Sequence, residues 1–348
     1  MAEEYPQGNS IINSKTVSVI IPAHNAEHCI GACIDSVMAQ SLKPIEIIVV
    51  DDGSQDATCQ VVSIYGNAVQ LIRQNNQGAA SARNKGVELS SGEFIAFLDA
   101  DDYWLDNFLL QTVRFLDATP HVIAVLTAWQ RIFVNGKRES VPEILNHSPS
   151  TFNRAHVIEN LFESWVRLGH VQTGAILLRA ETVKKVGGML ENLRVSQDVE
   201  YWAYLATFGK WGFIPDILYA NNSRVAAAVN WIAKYSIRRK LCPTVEEWQE
   251  RIVPRLSDSQ WPYFKVIRGR VAAGYAQNHI LGGNPDQARY IVRNYGHEMP
   301  DNRLTRLLKI GNRLGAPGWR AACLLVLGRE YAKAAGLRLR FSGKRSQP

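Results

Sequence analysis

Short apolar runs alternate with amphipathic stretches along the first half of the chain. The segments Val17–Ile21, Ile45–Val50 and Phe94–Leu98 are almost wholly apolar and rich in β-branched residues, as strands buried on both faces of a sheet are. Between the first two, apolar residues such as Ile30 and Ile34 recur at the spacing of a helix. This alternation predicts an α/β protein with a mainly parallel sheet covered by helices.

The same patterns predict the other elements. After position 230 the strand pattern stops, and Thr244 with Glu247 predicts a capping box. The run Gly282–Pro285 combines a helix stop with a helix start, and Asn135–Gly136 is typical of a hairpin turn. Further helices are predicted over 56–65, 78–89, 106–118, 155–167, 181–186, 199–208 and 261–281, and further strands over 69–72, 122–129, 131–134, 175–178 and 212–220.

Composition indicates an ordinary globular protein. Of the 348 residues, 46% are hydrophobic and 20% are charged, and no apolar run approaches the length of a membrane-spanning helix. The polar start of the chain is unlike a secretory signal, and the five scattered cysteines do not form a disulfide framework. Cys29 and Cys33 are better interpreted as buried thiols than as a metal site. We therefore expect a reducing compartment, the cytoplasm.

Positive charge is concentrated at the end of the chain. Residues 303–348 contain eleven Lys or Arg and one acid, Glu330, so they carry +10 and residues 1–302 carry −3 of the total of +7. A mildly acidic main body argues against nucleic acid as the principal ligand. Basic and apolar residues alternate in the tail, as in helices that lie on membranes, although a solvated charged face is an equal alternative. Trp319 and Leu324 are the candidate inserting residues.

Two acidic clusters directly follow buried strands. Asp51 and Asp52 come after the second strand, and Asp99, Asp101 and Asp102 come after the strand at 94–98. In open α/β sheets, ligands bind at the carboxyl ends of the strands. Crowded carboxylates favour a hard divalent cation completed by phosphate oxygens, and both common glycine-rich phosphate loops are absent from the sequence. The alternative is a solvent turn at DDGS and a helix cap at Asp102 or Asp106.

The order of four motifs carries a family resemblance. VSVIIPAHN, IEIIVVDDGS, NQGAASARNKG and GEFIAFLDADD resemble the donor-binding half of the family-2 glycosyltransferases, which have the glycosyltransferase A fold of nucleotide-diphospho-sugar transferases. GAILLRAETVKKVGGM and SQDVEYW are similar to that family's acceptor half, so the resemblance covers about 16–225. With the end of the strand pattern near 225–230 and the basic tail, it predicts an N-terminal tail (1–15), a glycosyltransferase domain (16–228) with donor half 16–135 and acceptor half 136–228, and a helical basic C-terminal region (229–348).

The resemblance implies a nucleotide site. Asp52 would hydrogen-bond the base, Asp99 would lie near the ribose, and Arg83 would offset the charge of the phosphates. His24 stands where many relatives have a tyrosine that stacks on the base. The residues that the resemblance places at the donor are Pro22, His24, Asn25, Asp51, Asp52, Arg83, Asp99 and Ala100.

The resemblance also implies a metal site and a catalytic base. Asp101 would bind Mn²⁺ or Mg²⁺ at the diphosphate, with Asp99 and Asp102 as support. Asp198 would be the base, and its neighbour Gln197 replaces the family's usual glutamate. Taken by itself, Asp198 would more often be a cap of the helix predicted over 199–208, but the shared order of the motifs favours the base.

Together these features predict an inverting, non-processive glycosyltransferase. The expected donor is a nucleoside-diphosphate sugar, most simply a UDP-sugar, and the expected acceptor is a hydroxyl of a glycan or lipid-linked glycan, as in cell-surface polysaccharide synthesis. Trp165, His170 and Trp202 are candidates for the acceptor side, with core packing as the alternative for the tryptophans. The alternative functions are a nucleotidyltransferase, which would normally carry a basic glycine-rich loop, and a non-catalytic sugar-nucleotide-binding module. The protein is expected in the cytoplasm, with peripheral contact to an anionic membrane through its basic tail.

Overall fold

The computed structural model describes residues 14–133, 135–141, 154–169, 171–222 and 239–334. Contacts divide the chain into two compact units. The first consists of Met1–Ala228 with Trp248–Phe264, and the second of Val229–Glu247 with Lys265–Pro348. The domain boundaries expected from the sequence stay predictions.

The described part of the first unit contains one sheet of ten strands. Its order is β3-β2-β1-β4-β9-β6-β10-β5, with β7 paired to β6 and β8 paired to β10. The strands are β1 (Val17–Ala23), β2 (Glu46–Asp52), β3 (Gln70–Gln74), β4 (Phe94–Phe97), β5 (Tyr103–Trp104), β6 (Val122–Ile132), β7 (Arg138–Val141), β8 (His156–Ile158), β9 (Ile176–Arg179) and β10 (Lys210–Asn222).

Most of these strands run in one direction. Strands β1, β2, β3 and β4 pair in parallel, and so do β6 and β10. Strand β9 lies between β4 and β6 and is antiparallel to both, so β4 and β6 run in the same direction. Strands β1, β2, β3, β4, β6 and β10 are therefore all parallel. Strands β5, β7 and β8 run in the opposite direction along β6 and β10. The expected mainly parallel sheet is confirmed.

Twelve α-helices occur in the described residues, of which the first seven accompany the strands. They are α1 (Ile30–Met38), α2 (Thr58–Ser63), α3 (Ala79–Leu89), α4 (Phe108–Ala118), α5 (Leu161–Leu168), α6 (Ala180–Val186), α7 (Gln197–Leu205), α8 (Val245–Gln249), α9 (Trp261–Leu281), α10 (Pro285–Tyr295), α11 (Arg303–Arg313) and α12 (Gly315–Ala334).

Helix α3 packs closely on the centre of the sheet. The closest approach is at Gly86, where an added Cβ would lie 2.3 Å from Cγ2 of Ile20 on β1. A larger residue at this position would push the helix away from the strand. The buried residues of α3 also include Ala82 and Arg83.

Three predicted elements were wrong in detail. The helix expected over 155–167 begins only at Leu161, because His156–Ile158 forms a strand on β10. The segments 122–129 and 131–134 were expected to be separate strands, but a single strand, β6, runs through Val122–Ile132. The two-residue strand Tyr103–Trp104 was not expected, and it exists through its pairing with β10. All three differences depend on partners distant in sequence.

In the second unit, short-range signals predicted helix ends correctly. Thr244 and Glu247 exchange the hydrogen bonds of a capping box, with the Glu247 amide 3.1 Å from the Thr244 hydroxyl. Gly283 is left-handed with φ 88°, and the Asn284 side chain caps α10, which begins at Pro285. Among the helices in the described residues, none is both long enough and apolar enough to cross a membrane.

Candidate active site

The turn after β2 is built around the buried carboxylate of Asp51. Its Oδ1 accepts a hydrogen bond from the Ser54 amide at 3.2 Å, and Oδ2 accepts one from the Cys59 thiol at 3.2 Å. The Arg73 guanidinium also pairs with Oδ2, Nε lying 3.1 Å away. Because Asp51 is fully buried among these partners, its role in the structure is to shape the turn.

Asp52 organises the loop that leads into α3. Its Oδ1 accepts from Gln74 Nε2 at 2.9 Å and from the Gln77 amide at 2.8 Å, and Oδ2 accepts from the Gly78 amide at 2.7 Å. Gly78 has φ 96°, a conformation that glycine adopts without strain. A carboxylate offers about four acceptor positions, so one position remains for a ligand such as a base.

The loop after β1 meets the turn after β2. His24 Nδ1 lies 2.9 Å from the Asp52 carbonyl oxygen, so this nitrogen carries the proton and donates it. Asn25 is left-handed with φ 49°, and its amide donates to Ser54 Oγ at 2.8 Å. Pro22, the last but one residue of β1, is in register with Val50. The exposed imidazole is therefore held beside Asp52.

Arg83 and Asp99 form an ion pair at the end of β4. Arg83 Nη2 donates to Asp99 Oδ1, while the Arg83 side chain is almost wholly buried and that of Asp99 is 38% exposed. The Arg83 Nε and Nη1 atoms are buried and have no hydrogen-bond partner among the described residues. Buried donors are normally satisfied, so these two nitrogens indicate an acceptor that a ligand supplies.

Asp102 is held by the end of β10. The Tyr219 hydroxyl donates to its Oδ2, the Asn222 amide donates to Oδ1 at 2.7 Å, and Asn221 Nδ2 lies 3.2 Å from both oxygens. Burial raises the pKa of Asp102 to about 8, with further contributions from the charges of Asp99 and Asp101. The helix-cap alternative for Asp102 is wrong, since α4 begins at Phe108.

The carboxylates after β4 fit a divalent cation that the substrate helps to bind. Asp101 is half-buried and Ala100, between it and Asp99, is buried. In the part of the chain that the structure describes, no group of three His, Cys, Asp or Glu side chains is arranged to hold a metal ion. Mg²⁺ and Mn²⁺ commonly take one or two carboxylates and complete their shell with substrate phosphates and water. These hard oxygen donors suit that arrangement.

Asp198 lies within the first turn of α7. This helix begins at Gln197, two residues earlier than expected, and Ser196 occupies the N-cap position with φ 59°. The alternative role of Asp198 as the cap of this helix is therefore wrong. Its carboxylate is half-buried near the positive end of the helix, where the backbone dipole favours an anion. Gln197 Oε1 is buried without a hydrogen-bond partner among the described residues.

The loop that precedes Asp198 is bound to the donor half. Asn84 Nδ2 donates to the Met189 carbonyl at 2.9 Å, and Asn84 Oδ1 accepts from the Met189 amide at 2.8 Å. Arg194 Nη1 donates to the carbonyl of Gln77, the residue whose amide Asp52 binds. Two contacts thus join the loop between α6 and α7 to helix α3 and to the loop before it, which contain candidate residues of the nucleotide site.

Sequence reasoning missed the residues of β10 that surround Asp102. Asn221 and Asn222 follow a buried strand, which is the same signal that identified the aspartates. No local sequence pattern indicates a role for Tyr219 or Arg194, because each forms its hydrogen bond with a residue more than 100 positions away. Trp165 and Trp202 are buried, which supports the core-packing alternative, and His170 lies outside the described residues.

Comparison with known proteins is consistent with this geometry. Residues 18–181 match the family profile described as glycosyl transferase family 2. The chain is similar to UDP-Glc:alpha-D-GlcNAc-diphosphoundecaprenol beta-1,3-glucosyltransferase WfaP of Escherichia coli, with 38% identity over 103 residues, which is 29% of this chain and 41% of that protein. It covers 45%, 34% and 19% of three other curated glycosyltransferases, so it spans less than half of these relatives.

Two solved structures resemble the whole chain in fold. S. aureus TarS 1–349 in complex with UDP-GlcNAc has a TM-score of 0.57 and 18% identity, and 95% of each chain is covered. Mannosyltransferase PcManGT from Pyrobaculum calidifontis, in complex with GDP-Man and Mn²⁺, has a TM-score of 0.53 and 18% identity, with 95% of this chain and 89% of the other covered. The fold is therefore the glycosyltransferase A fold. The match to the family-2 glycosyltransferases covers somewhat less than half of the chain.

Proposed function

We propose that this protein is an inverting glycosyltransferase that transfers a sugar from a UDP-sugar to a hydroxyl of a glycan or lipid-linked acceptor. The observation that carries the proposal is the buried Arg83 guanidinium, whose Nε and Nη1 lack partners beside the half-exposed Asp99. A guanidinium with unsatisfied donors is suited to phosphate oxygens, because its planar donors match the geometry of an oxyanion. The diphosphate of a sugar nucleotide supplies such oxygens.

Different residues of the donor site would bind different parts of the nucleotide. The remaining acceptor position of Asp52 would take an N–H of the base, and the exposed His24 ring would stack on it. Asp99 would accept a ribose hydroxyl with the oxygen that Arg83 does not use. Asp51, Pro22 and Asn25, also expected at the donor, would keep the two supporting loops in place.

Asp101 would hold a divalent cation, with Asp99 and Asp102 as support. The carboxylate oxygens are suitable donors for Mn²⁺ or Mg²⁺, and Mn²⁺ accompanies GDP-Man in the PcManGT complex. When bound, the cation would stabilise the negative charge that develops on the departing nucleoside diphosphate. Asp102 is fixed by Tyr219 and Asn222, so it would act by orienting the turn that contains Asp101.

Asp198 would act as the general base. The acceptor hydroxyl attacks the anomeric carbon, the bond to the diphosphate oxygen breaks, and the hydroxyl proton passes to an Asp198 carboxylate oxygen. A single displacement of this kind inverts the configuration at the anomeric carbon. The ties from Asn84 and Arg194 to the loop before α7 support a fixed placement of this base relative to the donor.

The relatives narrow the substrate class. The name of WfaP specifies a UDP-glucose donor and a diphosphoundecaprenol-linked acceptor, and TarS has been solved with UDP-GlcNAc. We therefore favour a uridine nucleotide over other bases and a lipid-linked or polymeric glycan as acceptor. This substrate class suits cell-surface polysaccharide synthesis on the cytoplasmic side of a membrane.

The C-terminal helices support peripheral contact with an anionic membrane. Leu314, Leu324 and Leu325 are each more than half exposed, and the neighbouring Arg320 and Arg329 are exposed as well. Exposed leucines beside basic residues are typical of helices that lie at a lipid surface. Trp319, expected from the sequence to insert, is buried and donates its indole N–H to the Pro285 carbonyl at 3.1 Å, so that expectation was wrong.

A donor screen tests the proposed function. Wild-type protein with Mn²⁺ is incubated with a panel of UDP-, GDP- and dTDP-sugars, and release of nucleoside diphosphate is followed with and without glycan acceptors. We expect release from a UDP-sugar, slow by hydrolysis alone and faster with a suitable acceptor. In parallel, nucleoside triphosphates are supplied with sugar 1-phosphates. Pyrophosphate release in that arm, with no diphosphate release from any donor, would contradict the proposal in favour of nucleotidyl transfer.

A further inference from the structure

The helix that carries Asp198 also carries a buried carboxylate that forms an ion pair. Glu200, two residues further along α7, has a wholly buried side chain. Its Oε1 accepts from Arg251 Nε at 2.6 Å, and its Oε2 accepts from Arg251 Nη2 at 2.7 Å. The two parallel bonds define a bidentate pair, the geometry that fixes both distance and orientation. Arg251 belongs to Trp248–Phe264, the segment that groups with the same unit.

The same guanidinium also reaches the other end of the loop before α7. Arg251 Nη1 donates to the Gly188 carbonyl at 3.1 Å. Its Cζ lies 4.1 Å from the centre of the Tyr204 ring, which restricts the plane of the guanidinium. The Tyr201 hydroxyl donates to the Gly187 carbonyl at 3.1 Å, a second tie between α7 and the beginning of the loop. The loop between α6 and α7, which leads to Asp198, is therefore held at both ends.

We infer that Arg251 is a positioning residue for Asp198, which it holds at the donor site by joining Glu200 to Gly188. The inference rests on the proposed function. The loop is also bound to the donor half through Met189 and Arg194, so the donor contacts and the Arg251 contacts act on one segment. With its two ends joined, the loop transmits the position of the donor half to Asp198.

The chemistry of the pair explains why arginine is required. Burial raises the pKa of Glu200, and the charge and hydrogen bonds of Arg251 act against that rise. A lysine would keep the positive charge but has no planar fork, so it could not donate in parallel to Glu200 and also reach Gly188. Arg251→Lys therefore keeps the charge and removes the geometry. A displacement of about 1 Å at a catalytic group can lower a rate by about 10²-fold.

The second unit supplies a matched control. Arg268 Nε lies 2.7 Å from Glu298 Oε2, and Arg268 Nη2 lies 2.5 Å from Glu298 Oε1. This is a second buried bidentate pair, in the unit that contains none of the predicted site residues. Arg268→Lys removes the same bidentate pairing and leaves the contacts of the loop before α7 unchanged. This variant therefore measures the loss of stability that follows from removing a bidentate pair away from the site.

The experiment compares Arg251→Lys with Arg268→Lys in the full chain. Melting temperature, the Kd of UDP with Mn²⁺ by calorimetry, and kcat with the donor found by the screen are measured for each. We expect Arg251→Lys to lower kcat by about 10- to 10²-fold with the Kd of UDP within twofold of wild type, and Arg268→Lys to keep kcat within twofold. Equal kcat in the two variants would overturn the inference, and so would a loss of UDP affinity that matches the loss of turnover.

A double variant and hydrogen exchange cover the cases in which Arg251→Lys does not fold or the wild-type protein is inactive. If Arg251→Lys does not fold, the double variant Glu200→Gln with Arg251→Gln removes both buried charges and is measured instead. If wild-type protein releases no nucleoside diphosphate from any donor, the proposed function fails, and hydrogen exchange then tests the positioning alone. We expect amides in 187–200 to exchange faster in Arg251→Lys and at the wild-type rate in Arg268→Lys. Unchanged exchange in both would overturn the positioning role.

Discussion

The Asn84 side chain forms two hydrogen bonds with the backbone of Met189. Its Nδ2 donates to the Met189 carbonyl at 2.9 Å, and its Oδ1 accepts from the Met189 amide at 2.8 Å. Asn84 follows Arg83 on α3, and Met189 lies in the loop that leads into α7, whose first turn carries Asp198. Together with the contact between Arg194 and Gln77, this amide side chain would fix the separation between the donor site and Asp198.

Replacing Asn84 should affect both stability and turnover. Asn84→Ala leaves two backbone groups of Met189 without their partner, which costs about 1–3 kcal/mol in the free energy of unfolding. We expect kcat to fall while the Kd of UDP stays within a few-fold, because Arg83 and Asp99 are intact. Lys85→Ala is the matched control, since its ion pair with Glu88 is a partly exposed surface pair worth little. Denaturant unfolding and calorimetry measure the two effects, and equal unfolding energies in both variants would refute the role.

Donor binding should require a divalent cation. Asp101→Asn removes one charge from the proposed cation site after β4 and should weaken binding of UDP in the presence of Mn²⁺ without lowering the melting temperature. The control is Asp106→Asn, an exposed aspartate on the same connection to α4. Calorimetric titrations with UDP are carried out with Mn²⁺ and with EDTA. Equal affinity of the wild-type protein in EDTA and Mn²⁺ would remove the metal from the proposal.

Asp198→Asn should separate catalysis from binding. We expect kcat to fall by roughly 10²–10⁴-fold, the usual contribution of a positioned general base, and the Kd of UDP to stay near that of wild type. Asp216→Asn, an exposed carboxylate on β10, serves as the control for loss of one negative charge. Single-turnover kinetics with the identified donor and acceptor give the rate of the chemical step. A variant that keeps most of the wild-type kcat would show that Asp198 is not the base.

The C-terminal helices should bind anionic vesicles. Each basic residue near such a surface contributes about 1 kcal/mol, and exposed leucines add apolar contact. In co-sedimentation with vesicles that contain phosphatidylglycerol, we expect binding at low salt that weakens as salt screens the attraction. The double variant Leu324→Gln with Leu325→Gln should bind less, whereas Ile64→Gln should not, although Ile64 is 82% exposed. Wild-type protein that remains in the supernatant at low salt would exclude the membrane role.

Much of the fold follows from short stretches of sequence. The apolar runs at Val17–Ile21 and Phe94–Leu98 each predict a strand, because a strand covered on both faces requires apolar side chains throughout. Helix α9 was predicted with both its ends, Trp261 and Leu281, since periodicity and the following glycines act within a few residues. The acidic clusters were also found from sequence, because parallel strands bring their carboxyl ends to one edge.

Only the tertiary structure decided which groups those aspartates and helices meet. Asp102 bonds to Tyr219, which is 117 residues away, and Glu200 bonds to Arg251, which is 51 residues away. The strand His156–Ile158 exists through its pairing with β10 although its sequence resembled the start of a helix. Contacts of this kind have no period and no local signature, because they depend on burial and hydrogen bonding between segments that the fold brings together. The sequence thus determined the strands and the acidic edge of the sheet, while long-range packing determined which partners hold the site in place.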